Sequence, residues 1–274
     1  GYFYYSRAYV KSTGSNLQTK KLTPLSPNTA SVCDCRQHAG TARTSHALTA
    51  TMRDSMNPVV GGVSVGPFPS IAHCARRVLA DARSGLGGFG IAINAEKVVT
   101  CQSDRVLSGV IRNATLRYPD GAGVVVAMRL KGARSTRVAG ADLWLEILRQ
   151  SRGRPLPLAL IGAAPEILER TRRRLSEEFP NVRVVLARDG YQGSRDAQAL
   201  ADALITAKPQ LVFVALGSPR QELLIDSLRG VYPAAFYLGL GGSFDIYSGA
   251  KKRAPLWMQR SEEHTSELQS PMYL

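Results

Sequence analysis

Asp120 stands between Pro119 and Gly121, directly after the short apolar stretch Ala114–Tyr118. A carboxylate on a tight turn at a strand end is placed to act as a general base on a ligand hydroxyl. The same side chain is equally suited to capping the next helix through its backbone N–H groups. Gly217-Ser218-Pro219-Arg220-Gln221-Glu222 closes another apolar run and opens a helical one. Free N–H groups there, with Arg220 and Gln221 as added donors, suit an anion; an ordinary helix start reads the same way. In Gly239-Leu240-Gly241-Gly242-Ser243-Phe244-Asp245 the small residues let a ligand approach the backbone, or make a tight turn. Lys251, Lys252 and Arg253 precede Pro255. They suit phosphate contact or an acidic membrane surface, against the usual reading of a solvated charge run. Together these groups point to an anionic, sugar-like ligand. No Ser-His-Asp or Cys-His arrangement stands out, and His73, in a helical stripe beside Cys74, is read as structural.

Such loops need a frame. Val59–Val65 reads as a short strand, and Ser70–Arg83 as a helix with Ile71, Cys74, Ala75, Val78 and Leu79 on one face and Ser70 as its N-cap. Strands follow at Phe89–Asn94, Ala114–Tyr118, Pro157–Gly162, Val182–Leu186, Leu211–Leu216 and Ala235–Leu238. Helices are expected at Ala95–Cys101, Ala122–Leu130, Ala141–Ser151, from Pro165, at Asp196–Ala207 and at Arg220–Leu228. Near-continuous apolar strands alternating with helices predict a Rossmann-like α/β fold, a mainly parallel sheet with helices on both faces, as a single domain. Ligands then bind where loops leave the carboxyl ends of the strands. Gly85-Leu86-Gly87-Gly88-Phe89-Gly90 satisfies a dinucleotide-binding spacing but follows a helix and leads into a strand, the reverse of what that fingerprint requires. It is read as a helix end and turn.

The chain has 274 residues with 44% hydrophobic, enough for a real core and against wholesale disorder. No apolar run approaches the ~18 residues of a membrane-spanning helix. Lys and Arg number 35 against 21 Asp and Glu, a net charge of +14, which suggests an anionic partner without choosing one. Nucleic acid is disfavoured, because the basic residues are spread along the chain without aromatic interleaving. Four cysteines do not make a disulfide scaffold, and the Cys33, Cys35 and His38 group fits no zinc knuckle. Arg172, Arg173 and Arg174 sit among glutamates and read as a salt-laced outer face.

The two ends differ from the middle. Residues 1–51 are Ser/Thr/Gly/Asn-rich and aperiodic, expected to be disordered or translated from upstream of the true start, with Met52 or Met56 as initiator. Residues 260–270, Arg260 to Ser270, resemble the in-frame translation of a short-read sequencing adapter. Residues 261–274 are therefore set aside as a scar, residues 52–260 are taken as the folded domain, and the natural chain is expected to continue past Arg260.

Six segments occur in an order that resembles one family: Ile93-Asn94-Ala95-Glu96-Lys97, Tyr118-Pro119-Asp120-Gly121, residues 137–144 from Arg137 to Trp144, Gly217–Glu222, Gly239–Asp245 and Lys252-Arg253-Ala254-Pro255. The set, spanning about Val59 to Arg260, resembles the WecG/TagA/CpsF glycosyltransferases, family 26 of that enzyme class. The Asn94–Lys97 and Arg137–Trp144 segments resemble the branch serving enterobacterial common antigen, which transfers N-acetylmannosaminuronic acid from UDP to a lipid-linked glucosamine acceptor. The teichoic-acid branch transfers N-acetylmannosamine instead.

The resemblance implies a metal-independent, cofactor-free inverting transfer at the inner face of the cytoplasmic membrane. It implies Asp120 as general base, Asn94 as a pocket residue, Arg137 and Gln221 as site positions, and the loop with Gly241, Gly242 and Asp245 as the nucleotide site. Lys252 and Arg253 begin a basic tail that meets diphosphate and membrane. The partners implied are a UDP-sugar donor, an undecaprenyl-diphosphate-linked acceptor and the membrane surface, with a second copy of the chain as a further candidate. The competing expectation is a non-catalytic nucleotide- or anion-binding module.

Overall fold

The structure, a computed structural model, describes residues 57–191 and 197–252. Cys33, Cys35 and His38, the candidate initiators Met52 and Met56, Arg253 and the segment 261–274 lie outside the described residues.

A short antiparallel hairpin, β1 (Val59–Val60) and β2 (Val63–Ser64), leads into the fold. The sequence pattern suggests one strand here; Gly61 and Gly62, both at positive φ, turn it back on itself. Helix α1 (Ile71–Ser84) follows, with the Ser70 hydroxyl accepting from the His73 N–H as its N-cap. Then come β3 (Gly88–Ile93), α2 (Ala95–Ser103), α3 (Arg105–Arg112), β4 (Leu116–Pro119), α4 (Ala122–Leu130) and α5 (Gly140–Gln150). The second half runs β5 (Leu156–Gly162), α6 (Pro165–Glu178), β6 (Val182–Arg188), α7 (Ala197–Ala207), β7 (Leu211–Ala215), α8 (Arg220–Val231), β8 (Phe236–Gly239) and α9 (Ser243–Tyr247).

Strands β3 to β8 form one six-stranded sheet in the order β4-β3-β8-β7-β5-β6, and every pairing is parallel. The expected mainly parallel sheet is thus wholly parallel. Its strands alternate between two buried faces. Leu158, Leu160, Leu211, Phe213, Phe236 and Leu238 face α1, α5, α6 and α9. On the other side Ile91, Ile93, Ile161, Val212, Val214 and Tyr237 face the hairpin, α3, α4, α7 and α8. Trp144 of α5 is the anchor of the first face, packing edge-on to Phe213 and Tyr247. One buried cation ties the hairpin to the sheet. The Arg117 guanidinium donates to the carbonyls of Ser64, Arg112 and Ala114.

The Gly85–Gly90 glycines do end a helix and enter a strand. Gly85 is the left-handed C-cap of α1, and a Cβ on Gly87 would run into the Pro233 carbonyl.

The chain order explains where a site can form. The β3–β4 pair is laid down first and β5–β6 next, and β7 and β8 then fill the middle of the sheet. The segments leaving β4, β3, β8 and β7 therefore emerge side by side along one edge, although they lie far apart in sequence. Among the described residues no helix is long and apolar enough to cross a membrane.

Candidate active site

Asp120 continues the parallel ladder one step past β4, its N–H donating to the Ile93 carbonyl at 2.8 Å. It does not cap the helix that follows it, since the N-cap of α4 is Gly121 and no side chain caps that helix. Instead its Oδ2 accepts the N–H of Gly140, the first residue of α5, at 3.2 Å. Its Oδ1 lies 3.5 Å from Arg137 Nε. The connection carrying Arg137 is pinned on either side, by Thr136 N–H to the Phe68 carbonyl and Val138 N–H to the Pro119 carbonyl, both at 2.8 Å. Asp120 thus faces a helix N-terminus and a guanidinium, both favouring its charged form. Burial outweighs them: the Asp120 carboxyl is pushed above the ordinary aspartate range, against the opposing pull of Gly140 N–H, Arg137 and Lys97. A quarter of the side chain stays exposed, so a ligand can reach it.

Asn94 ends β3 beside Asp120 and is the N-cap of α2, its Oδ1 accepting the Lys97 N–H at 2.9 Å. Tyr118, two residues before Asp120 on the same face of β4, is fully buried. Its hydroxyl is held well above the usual tyrosine range, by burial first and then by the Asp120 charge.

On the neighbouring strand ends the geometry is tighter. Gln221, in the first turn of α8, accepts the Gly241 N–H with Oε1 at 2.8 Å and donates from Nε2 to Glu222 Oε1 at 3.1 Å. One end of its amide thus fixes the turn after β8, and the other bonds the neighbouring Glu222. That contact needs Gly239, where a Cβ would come within 2.9 Å of Gln221 Nε2. Gly241 takes a left-handed φ of 55°, Gly242 is the N-cap of α9, and Asp245 follows in its first turn. Asp245 Oδ1 lies 4.0 Å from Lys251 Nζ, while Lys252 is exposed. The expected loop Gly239–Asp245 is therefore half turn and half helix.

Two residues that sequence reasoning left among the motif letters join the halves. Lys97 Nζ lies 3.2 Å from Glu222 Oε1, and the two residues are 8% and 2% exposed. This buried pair links α2, next to Asn94 and Asp120, to α8, next to Gln221 and Gly241. The available signal was their place inside two of the six segments, Asn94–Lys97 and Gly217–Glu222.

Asn94, Asp120 and Arg137 are thus brought together on the β3–β4 side, and Gln221, Gly241, Gly242 and Asp245 on the β7–β8 side. Beside Arg137 a groove of about 500 Å³ opens between α1 and α5, and its charged lining is mixed: Arg137 and Arg149 with Asp142 and Glu146. A partly exposed carboxylate next to a cation, with a glycine-rich turn on the same edge of the sheet, is an arrangement that can take a proton from a ligand hydroxyl. Sequence models of known families match residues 59–263 to the glycosyl transferase WecG/TagA/CpsF family.

Proposed function

We propose a reaction for this chain from one premise: it belongs to the glycosyl transferase WecG/TagA/CpsF family, glycosyltransferases of cell-surface polysaccharide synthesis. The donor in this reading is a UDP-linked N-acetylmannosaminuronic acid or N-acetylmannosamine, and the acceptor a polyprenyl-diphosphate-linked N-acetylglucosamine. Asp120 takes the proton of the acceptor hydroxyl. The acceptor oxygen bonds to the anomeric carbon from the face opposite UDP, the sugar–phosphate bond breaks, and UDP leaves with both electrons. The anomeric configuration inverts. Arg137 holds negative charge near the reacting centre, and the Gly241–Asp245 turn receives the nucleotide. Lys252 and Arg253 supply positive charge to the diphosphate or to the anionic membrane surface, which keeps the enzyme peripheral on the cytoplasmic side.

The observation that carries this reading is the position of Asp120 at the β4 end. It is held by Gly140 and Arg137 yet still open to a ligand. The test is incubation of the chain with each UDP donor and an undecaprenyl-diphosphate-N-acetylglucosamine analogue. Transfer with inversion supports the reading. UDP binding in a calorimeter without transfer from any donor favours a nucleotide-binding module instead.

A further inference from the structure

The seam between α1 and α5 carries a second groove, of about 730 Å³, away from Asp120. Its lining from α1 is Arg76, Leu79, Ala80 and Arg83, and beyond them Gln150 and Arg154 at and after the end of α5. The α1 residues sit at i, i+3, i+4 and i+7, one stripe of the helix. The packed stripe of α1 is apolar, Cys74, Ala75, Val78, Leu79 and Ala82, and the groove stripe runs along its edge, where two arginines bracket Leu79 and Ala80. No acid lines the groove.

Other arginines of these helices are neutralised locally. Arg77 pairs with Asp81 at 2.7 Å and Arg149 with Glu146 at 3.4 Å. Arg76, Arg83 and Arg154 make no ion pair among the described residues. Arg83 is half-buried, and its buried Nη2 has no hydrogen-bond acceptor among the described residues. A buried guanidinium N–H without an acceptor is costly, and its planar donor fork matches phosphate oxygens.

We propose that Arg76, Arg83 and Arg154 form a phosphate-binding site, with Leu79 and Ala80 as its apolar floor, separate from the Asp120 site. The phosphate is either free or the headgroup of an anionic lipid. Arg83 gives the planar, partly desolvated contact, and Arg76 and Arg154 close around it from the exposed rim. The site is independent of the Asp120 reaction, so the two fail separately.

The test uses the full chain in two arms. Calorimetry with inorganic phosphate and pyrophosphate reads the free anion. Co-sedimentation with phosphatidylglycerol vesicles against phosphatidylcholine vesicles reads the lipid. Arg83→Ala and Arg154→Ala are compared with Arg173→Ala on the outer face of α6. Arg154 lies outside any helix, so its loss leaves the fold intact, and Arg83→Lys keeps the charge while removing the planar fork.

The expected result is binding weakened about tenfold by Arg83→Ala and by Arg154→Ala in at least one arm, the loss of a charge-assisted hydrogen bond. Arg83→Lys falls between, and the Arg173→Ala control binds as wild type. Loss confined to the calorimetric arm identifies a free phosphate, and loss confined to vesicles a lipid headgroup. Absence of binding in both arms overturns the proposal, as does equal binding by all variants.

Discussion

Two carboxylate–cation pairs lie along the same sheet edge, and they are built to different rules. Asp120 and Arg137 sit 3.5 Å apart with about a quarter of each side chain exposed. Lys97 and Glu222 sit 3.2 Å apart and are almost wholly enclosed. The first pair can exchange partners with a ligand; the second cannot do so without exposing a charge to the protein interior. Loosely held, accessible charge suits chemistry, whereas enclosed charge suits scaffolding. The enclosed pair joins the β3–β4 side of the sheet edge to the β7–β8 side, which keeps two loop systems remote in sequence in register. Gln221 shares that task, because its amide bonds both Glu222 and Gly241.

The contrast breaks most visibly if one partner of the enclosed pair is removed. Glu222→Ala leaves the Lys97 ammonium buried and unpaired and should cost about 3–5 kcal/mol in urea unfolding, as such breaks do. The double variant Lys97→Met, Glu222→Leu should recover most of that. A Glu222→Ala cost below about 1 kcal/mol would make the pair no more than a surface bridge.

On the open pair the effect moves from stability to rate. Arg137→Gln should leave unfolding nearly unchanged and lower turnover about 10- to 100-fold, the worth of one hydrogen bond to a charged group. It also sharpens the contrast through pH. A base works when ionised, so activity rises with pH through the Asp120 pKa, which burial already holds above the ordinary range. Arg137 pulls that pKa down, so Arg137→Gln should move the acid limb of the pH–rate profile further up. An unmoved limb would separate Arg137 from Asp120. The smallest effect belongs to a pair with neither burial nor function. Arg172 bonds Glu169 at 2.7 Å on the exposed side of α6, and Arg172→Ala should change unfolding by about 0.5 kcal/mol or less.

The sheet was legible because strands buried on both faces must be apolar throughout, as Leu158–Gly162 and Leu211–Ala215 are. The loops were legible through their Gly, Pro and Asp punctuation. Helix α3 was not, since an eight-residue amphipathic segment follows α2 with only Asp104 between them. Asp104 ends one helix and caps the next, its Oδ1 accepting from Val106 and Leu107 N–H. The hairpin was missed because Val59–Val65 is apolar on either side of Gly61–Gly62. Lys97 and Glu222 stayed hidden for a different reason. A charged residue in the first turn of a helix ordinarily faces water, and its burial depends on a partner element remote in sequence. Arg117 was hidden in the same way. Whether Asp120 caps the helix that follows it also waited on the fold. The helix it contacts is α5, not the adjoining α4, and only the tertiary structure brings Gly140 to it.

In the proposed reaction Asp120 acts on the acceptor proton and does not hold the fold or the nucleotide. The direct measurement is Asp120→Asn, assayed for sugar transfer from the UDP donor and, on the same preparation, for UDP affinity by calorimetry. Turnover should fall about 10²- to 10⁴-fold, the usual contribution of a general base, with UDP affinity and unfolding midpoint unchanged. Turnover equal to wild type, or affinity lost in step with turnover, would contradict it.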